Sequence, residues 1–197
     1  MEETKEMMEL KKLLSLLDEK SSTKDIESTF SEIAKILLSK CYILTKNGNY
    51  RLLEIEFYFY NKAHQDVVTM KRTENAGMWW LHNWGVDISF ESKSECNEEQ
   101  RYYGGILIRS IANLNTNEVI CGPQNCCWWL FSSSALEEHK APQIVINNGK
   151  YELSDNIDRK ERYITGENKG IDNAYRFYIK DIKLNIDKNY KASPWKE

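Results

Sequence analysis

Apolar residues recur at helical spacing near the start of the chain and at alternate positions further on. Over residues 2–18, Met7, Met8, Leu10, Leu13, Leu14, Leu16 and Leu17 form a broad stripe among Glu and Lys, which predicts an amphipathic helix. Lys20-Ser21-Ser22-Thr23 interrupts it. A second predicted helix, capped by Thr23 or Asp25, carries Ile26, Phe30, Ile33, Ala34, Leu37 and Leu38. Both stripes are read as faces packed on a main sheet.

After the turn Lys46-Asn47-Gly48-Asn49 the period changes to two, and residues 50–60 read as the first strand. Residues 61–76 are polar and read as a loop, and residues 92–100 as a charged connector. The runs 78–90 and 102–114 read as core strands, the second containing Gly104-Gly105, a pair that permits close approach to the backbone. Val119-Ile120-Cys121 ends at a Gly122-Pro123 turn. Residues 125–136 are predicted helical, with Cys126, Trp129 and Leu130 inward. Residues 143–146, Asn147-Asn148-Gly149 and 150–153 read as a hairpin, 159–164 and 175–179 as strands, and 166–173 as a loop. Helices before residue 50 and strands after it predict an α+β protein with a mostly antiparallel sheet. Residues 1–45 are expected to be a helical N-terminal extension and 46–197 the main domain.

A chain of 197 residues is long enough for one domain with a full core. The net charge of −3 weighs against tight non-specific binding to nucleic-acid phosphates. Eleven Tyr, six Trp and six Phe supply either core or stacking platforms. The acidic, helical start does not read as a secretion signal, and no apolar run approaches the roughly 20 residues of a membrane span. Five Cys without zinc-type spacing fit a reduced, cytoplasmic protein with buried thiols, and no metal or other cofactor is indicated.

The candidate chemistry starts in Leu53-Glu54-Ile55-Glu56-Phe57-Tyr58-Phe59-Tyr60. As a strand, this run puts Glu54 and Glu56 on one side and Ile55, Phe57 and Phe59 on the other. Burying a lone carboxylate is costly, so a carboxylate in an aromatic strand asks for a reason. His64, Asp87 and Arg109 lie on neighbouring segments, and together these are the residue types of an acid/base pocket. A buried Arg109 needs a carboxylate partner, with Glu56 and Asp87 as candidates. The rival reading is a structural ion pair. From the residues alone, His64 in a polar loop faces water, and His82 and His139 are structural or exposed.

Several short motifs resemble, in order, those of the alkyladenine (3-methyladenine) DNA glycosylase family. Glu54-Ile55-Glu56-Phe57-Tyr58, with His64 six residues beyond the Tyr, resembles its Glu-x-Glu-Ala-Tyr segment. Asp87-Ile88-Ser89 falls where the family has Asn-Ile-Ser, and Gly105-Ile106-Leu107-Ile108-Arg109-Ser110 is similar to its Val-Leu-Leu-Arg-Ala strand. Cys121-Gly122-Pro123 with Cys126, Tyr175-Arg176-Phe177-Tyr178 and Ser193-Pro194-Trp195 complete the series. The likeness spans about residues 50–197.

This resemblance implies a curved, mostly antiparallel sheet in a single domain. It implies a monofunctional hydrolase of base excision repair that flips an alkylated purine out of DNA and cleaves its N-glycosidic bond with water. By the same resemblance, Glu56 activates the water and Arg109 holds Glu56 ionised. Tyr58 and His64 stack on or hydrogen-bond the base, Trp79 or Trp80 forms the opposite wall, and Asp87 reads the base edge. The implied partner is damaged DNA, single-stranded DNA included. No membrane is implied, and a protein partner is a further candidate for residues 1–45.

Three features depart from the family. Asp87 replaces an Asn that discriminates among purines, and as a carboxylate it only accepts hydrogen bonds and is expected near Glu56. The family's wedge hairpin is shortened, which leaves His82, Asn83 or Trp84 as candidate wedges. Cations in the central block are few: Lys62, Lys71, Arg72, Lys93, Arg101 and Arg109. The departures leave a non-catalytic binding module of the same fold, with its pocket retained, as the alternative.

Overall fold

A computed structural model describes residues 4–132, 141–162, 164 and 174–182. His139, the 166–173 loop and Ser193-Pro194-Trp195 lie outside the described residues. Helix α1 (Lys5–Leu14) starts at Thr4, whose hydroxyl accepts from the Met7 amide. It stops short of the expected residue 18 because Ser15 turns its hydroxyl back onto the Lys11 carbonyl at 3.1 Å, offering the backbone an alternative to further helix. Helix α2 (Thr23–Ser39) is capped by Ser22, not by Thr23 or Asp25. Ser22 accepts from the Asp25 amide while the Asp25 carboxylate returns the bond to the Ser22 amide, so Asp25 is the third helical residue of a capping box.

The strands are β1 (Cys41–Thr45), β2 (Gly48–Asn61), β3 (Trp79–His82), β4 (Gly85–Ser89), β5 (Tyr102–Asn113), β6 (Val119–Cys121), β7 (Gln143–Ile146), β8 (Ile157–Lys160) and β9 (Arg176–Ile179). Helix α3 (Pro123–Phe131) follows β6 directly, with Pro at its first position. All ladders are antiparallel and form one curled sheet. Its spine is the β2–β5 pair, running from Tyr50↔Asn113 to Asn61↔Tyr102. The free edge of β5 takes β4 and β6 in turn, and that of β2 takes β1 and β9.

Four strand expectations change, the simplest being that the strand expected at 159–164 is β8, Ile157–Lys160, with Glu161 and Arg162 outside it. Residues 78–90 are not one strand but the β3–β4 hairpin, turning at Asn83-Trp84. Gly85 adopts φ +147° there, and a Cβ on it would sit 2.9 Å from Pro123 Cβ, so only glycine lets the hairpin end close onto α3. The expected 143–153 hairpin forms its turn, with Lys150 N–H donating to the Asn147 carbonyl at 2.8 Å, but residues 150–153 are not a strand. Instead β7 pairs with β1 from Cys41↔Ile146 to Leu44↔Gln143. Strand β1 was not anticipated. It brings part of the expected N-terminal extension into the sheet.

Residues directly opposite across the ladders share a face. Ile55, Phe57, Ile106, Ile108, Ile88 and Phe177 lie on the side covered by α1 and α2. There Phe30 of α2 stacks on Phe57 at 4.5 Å, and Leu10, Leu14, Ile33 and Leu37 close a single core. The opposite side carries the charges.

Candidate active site on the polar face of the sheet

One row crosses four strands by direct pairing: Trp80–Asp87–Leu107–Glu56, continuing to Arg176 on β9. Three of the residues singled out from sequence therefore share a row. The next row toward the open end of the β2–β5 spine is Ser89–Gly105–Tyr58.

Glu56 is 0% exposed. Its Oε1 accepts from the Tyr58 hydroxyl, and its Oε2 lies 2.9 Å from Arg109 Nη1. Glu54 is also buried. It accepts from Arg176 Nε and from the Ser110 hydroxyl at 2.8 Å, with Arg109 Nε 3.9 Å away. The irregular register around Leu52, Glu54 and Ile55 brings both carboxylates to Arg109. Two carboxylates thus face two guanidiniums, which is what allows either to be buried. Burial alone would lower the Arg109 pKa, but the charges of Glu56 and Glu54 outweigh it and hold it above its ordinary value. Tyr58 is driven well above the usual phenol range, first by burial and then by the charge of Glu56 and its hydrogen bond.

Asp87 does not meet Glu56. Leu107 stands between them, two strand spacings or about 10 Å apart. Each carboxylate has its own partners: Arg72 Nη1 lies 2.7 Å from Asp87 Oδ2, and His82 Nε2 lies 3.0 Å from Oδ1. The guanidinium of Arg72 rests 3.8 Å from the centre of the Trp80 ring. Trp79 points the other way, donating to the Pro142 carbonyl at 2.7 Å and packing on the core, so of the two indoles Trp80 belongs to the polar face.

His64 is buried rather than solvated. Its amide donates to Asn61 Oδ1 at 2.7 Å, and its ring lies 5.7 Å from that of Tyr175, with Nδ1 3.4 Å from the Thr23 hydroxyl. It joins Tyr58 through Tyr175 and Arg162. The Arg162 guanidinium sits 4.7 Å from the Tyr58 ring centre and 5.3 Å from that of Tyr175, and grips Asp66 with bonds of 2.7 and 2.9 Å. Burial lowers the His64 pKa below 6.5, with the Asp66 charge opposing. The folded state therefore prefers neutral His64, while the unfolded chain takes up the proton below about pH 6.5. Stability should fall as the pH drops from 7 toward 5, and His64→Gln should remove part of that fall. Urea midpoints of both proteins at the two pH values measure it, and an unchanged difference between them would exclude His64 as a contributor.

The sequence reading missed Arg162, Asp66 and His82 as parts of this face, and took Arg72 for a loop cation. The Gly104-Gly105 pair was the available signal: a Cβ on Gly105 would lie 2.2 Å from Arg72 Nη1. At the hairpin tip, Trp84 is 68% exposed, whereas His82 is tied to Asp87 and the Asn83 carbonyl accepts from Gln124. Of the sparse central cations, Arg72 and Arg109 are consumed by buried pairs, Lys62 pairs with Glu99, and Arg101 donates to the Ser94 and Cys96 carbonyls. Cys41 and Cys126 are buried free thiols, and burial pushes the Cys41 pKa up to about 12. Among the described residues, no group of His, Cys, Asp and Glu is placed to hold a metal ion, and no helix is long and apolar enough to cross a membrane.

Fold and face together define an α+β protein with a buried, arginine-compensated carboxylate array on one side of a curled sheet. No protein-family profile matches the chain, and no solved structure does. It is similar to an uncharacterized protein of Acanthamoeba polyphaga mimivirus, with 30% identity over 132 residues. That stretch covers 56% of this chain and 60% of the viral protein, so the chain spans less than two thirds of that relative's length.

Proposed function

We propose that the chain is a monofunctional N-glycosyl hydrolase of the 3-methyladenine DNA glycosylase type. Its substrate would be an alkylated purine in single-stranded or already opened DNA, and its place base excision repair. The observation that carries this reading is the Glu56–Arg109–Tyr58 cluster. A fully buried carboxylate lies against one guanidinium and accepts from one phenol, on the same sheet row as Asp87 and Trp80. In the reaction, Glu56 takes a proton from water as the water oxygen bonds to the anomeric carbon. The C–N bond breaks, and the base leaves with its electron pair. The negative charge of Glu56 also favours the positive charge that develops on the sugar. Trp84 at the tip of the hairpin is the residue that would fill the gap left by an extruded base. Within the central block, the commitment of Arg72, Arg109, Lys62 and Arg101 to partners inside the protein supports an opened strand rather than a tightly tracked duplex.

A second reading, a non-catalytic module with a retained pocket, is favoured by one observation: both Asp87 oxygens are already engaged, by Arg72 and His82. One assay separates the two. Purified protein is incubated with methylated single-stranded DNA, and released bases are quantified. The hydrolase reading expects release that drops at least about a hundredfold in Glu56→Gln. Equal release by both proteins removes Glu56 as the base, and no release by the wild type favours the module.

A further inference from the structure

Arg72 lies in a loop, yet its side chain is 1% exposed. One face of its guanidinium rests 3.8 Å from the centre of the Trp80 ring. Its Nη1 lies 2.7 Å from Asp87 Oδ2, and Nε donates to the Met70 carbonyl at 3.3 Å. Nη1 lies where a Cβ on Gly105 would be, 2.2 Å away, so the bare backbone of β5 forms part of the seat. Trp80, Asp87 and Gly105 come from three adjacent strands, β3, β4 and β5, whose pairing fixes the seat independently of the loop that fills it. His82 holds the other Asp87 oxygen at 3.0 Å and leaves Oδ2 for the occupant.

An indole face, an acceptor-only carboxylate and bare main chain suit a ligand that is flat, positively charged and edged with N–H donors. A neutral ligand would leave Asp87 buried without its cation once Arg72 had left. We infer that the Trp80–Asp87–Gly105 seat is a receptor for flat cations, that Arg72 is its internal occupant, and that a cationic N-alkylated purine displaces it. The choice of purine rests on the function proposed above, whereas the preference for a flat cation rests on the seat alone. Displacement requires movement of the stretch around Arg72, whose neighbours Lys71 and Thr73 are exposed. The internal occupant lowers apparent affinity in proportion to the fraction of time it holds the seat.

The test uses the full chain with Arg72→Ala and two nucleosides of similar size: 1-methyladenosine, a cation at neutral pH, and neutral adenosine. Calorimetric titration should show the variant binding 1-methyladenosine at least about tenfold more tightly than the wild type, with no such gain for adenosine. Adding Asp87→Asn should abolish the gain. A folded Arg72→Ala protein that gains nothing, or gains equally for both nucleosides, overturns the inference. If Arg72→Ala does not fold alone, it is refolded with low-millimolar guanidinium or 1-methyladenosine, against sodium chloride at equal ionic strength. Recovery by the flat cations only supports the seat, and any other outcome overturns it. The gain should persist in Glu56→Gln, where base release is lost, so failure of the seat and failure of the hydrolytic reading remain distinguishable.

Discussion

Replacing Arg109 with methionine should destabilise the protein by about 3–5 kcal/mol, the usual cost of stripping one partner from a buried ion pair. Arg109 is 13% exposed and Glu56 is 0%, so little water reaches the carboxylate left behind. Glu54 is less dependent on this arginine, because Arg176 and the Ser110 hydroxyl also bind it. The loss should therefore trace to Glu56. Adding Glu56→Gln to Arg109→Met should recover about 1–3 kcal/mol, since a neutral amide no longer demands a cation. Urea denaturation of the wild type, both single variants and the double variant measures the coupling. Strict additivity of the two changes would show that the pair does not act as a unit. The same cycle bears on catalysis, because an Arg109 that stabilises the charged form of Glu56 also maintains the proposed base.

Phe30→Ala should cost a similar amount, about 3–5 kcal/mol. Phe30 is the side chain through which α2 grips the sheet. It stacks on Phe57 at 4.5 Å and Phe90 at 5.8 Å, and meets Tyr175 edge-on at 5.0 Å. Removing the ring opens a cavity bordered by three other rings, on β2 and directly beside the ends of β4 and β9, which close packing keeps from collapsing fully inward. Phe57 is adjacent in sequence to Glu56 and Tyr58, so the cavity lies directly behind the polar face. A control is Leu16→Ala, which changes an exposed residue and should stay within about 0.5 kcal/mol of the wild type. A Phe30→Ala loss no larger than the control's would mean that the helices are not seated on the sheet as described.

Parts of this arrangement were legible because they depend on near neighbours. The Glu-x-Glu alternation with Ile55, Phe57 and Phe59 assigned faces to β2, and the pairing with β5 and β9 kept them. The signal for α2 was present, but the cap was placed one or more residues late, because Ser22 and Asp25 act as a reciprocal pair rather than singly. Residues 150–153 illustrate the opposite case. Their turn forms as its sequence demands, yet β7 finds its partner about a hundred residues earlier, in β1. Strand β1 is a short apolar run directly after a helix, and nothing local marks where that helix ends and the strand begins. Arg162 with Asp66, and Arg72 with Asp87, were not legible as pairs because each joins a loop to a different segment of the chain.

The sequence by itself determined the helical beginning, the sheet that follows, and the alternation that sends two carboxylates to one side of an aromatic strand. These follow from periodicity and from steric preferences that act within a few residues. Tertiary structure alone decided that Arg72 meets Asp87 and Arg162 meets Asp66, that Leu107 separates Glu56 from Asp87, and that Arg72 fills the seat against Trp80. A buried charge is compensated only by groups that packing brings within a few ångströms, and that proximity is set by strand register and loop path, not by position along the chain.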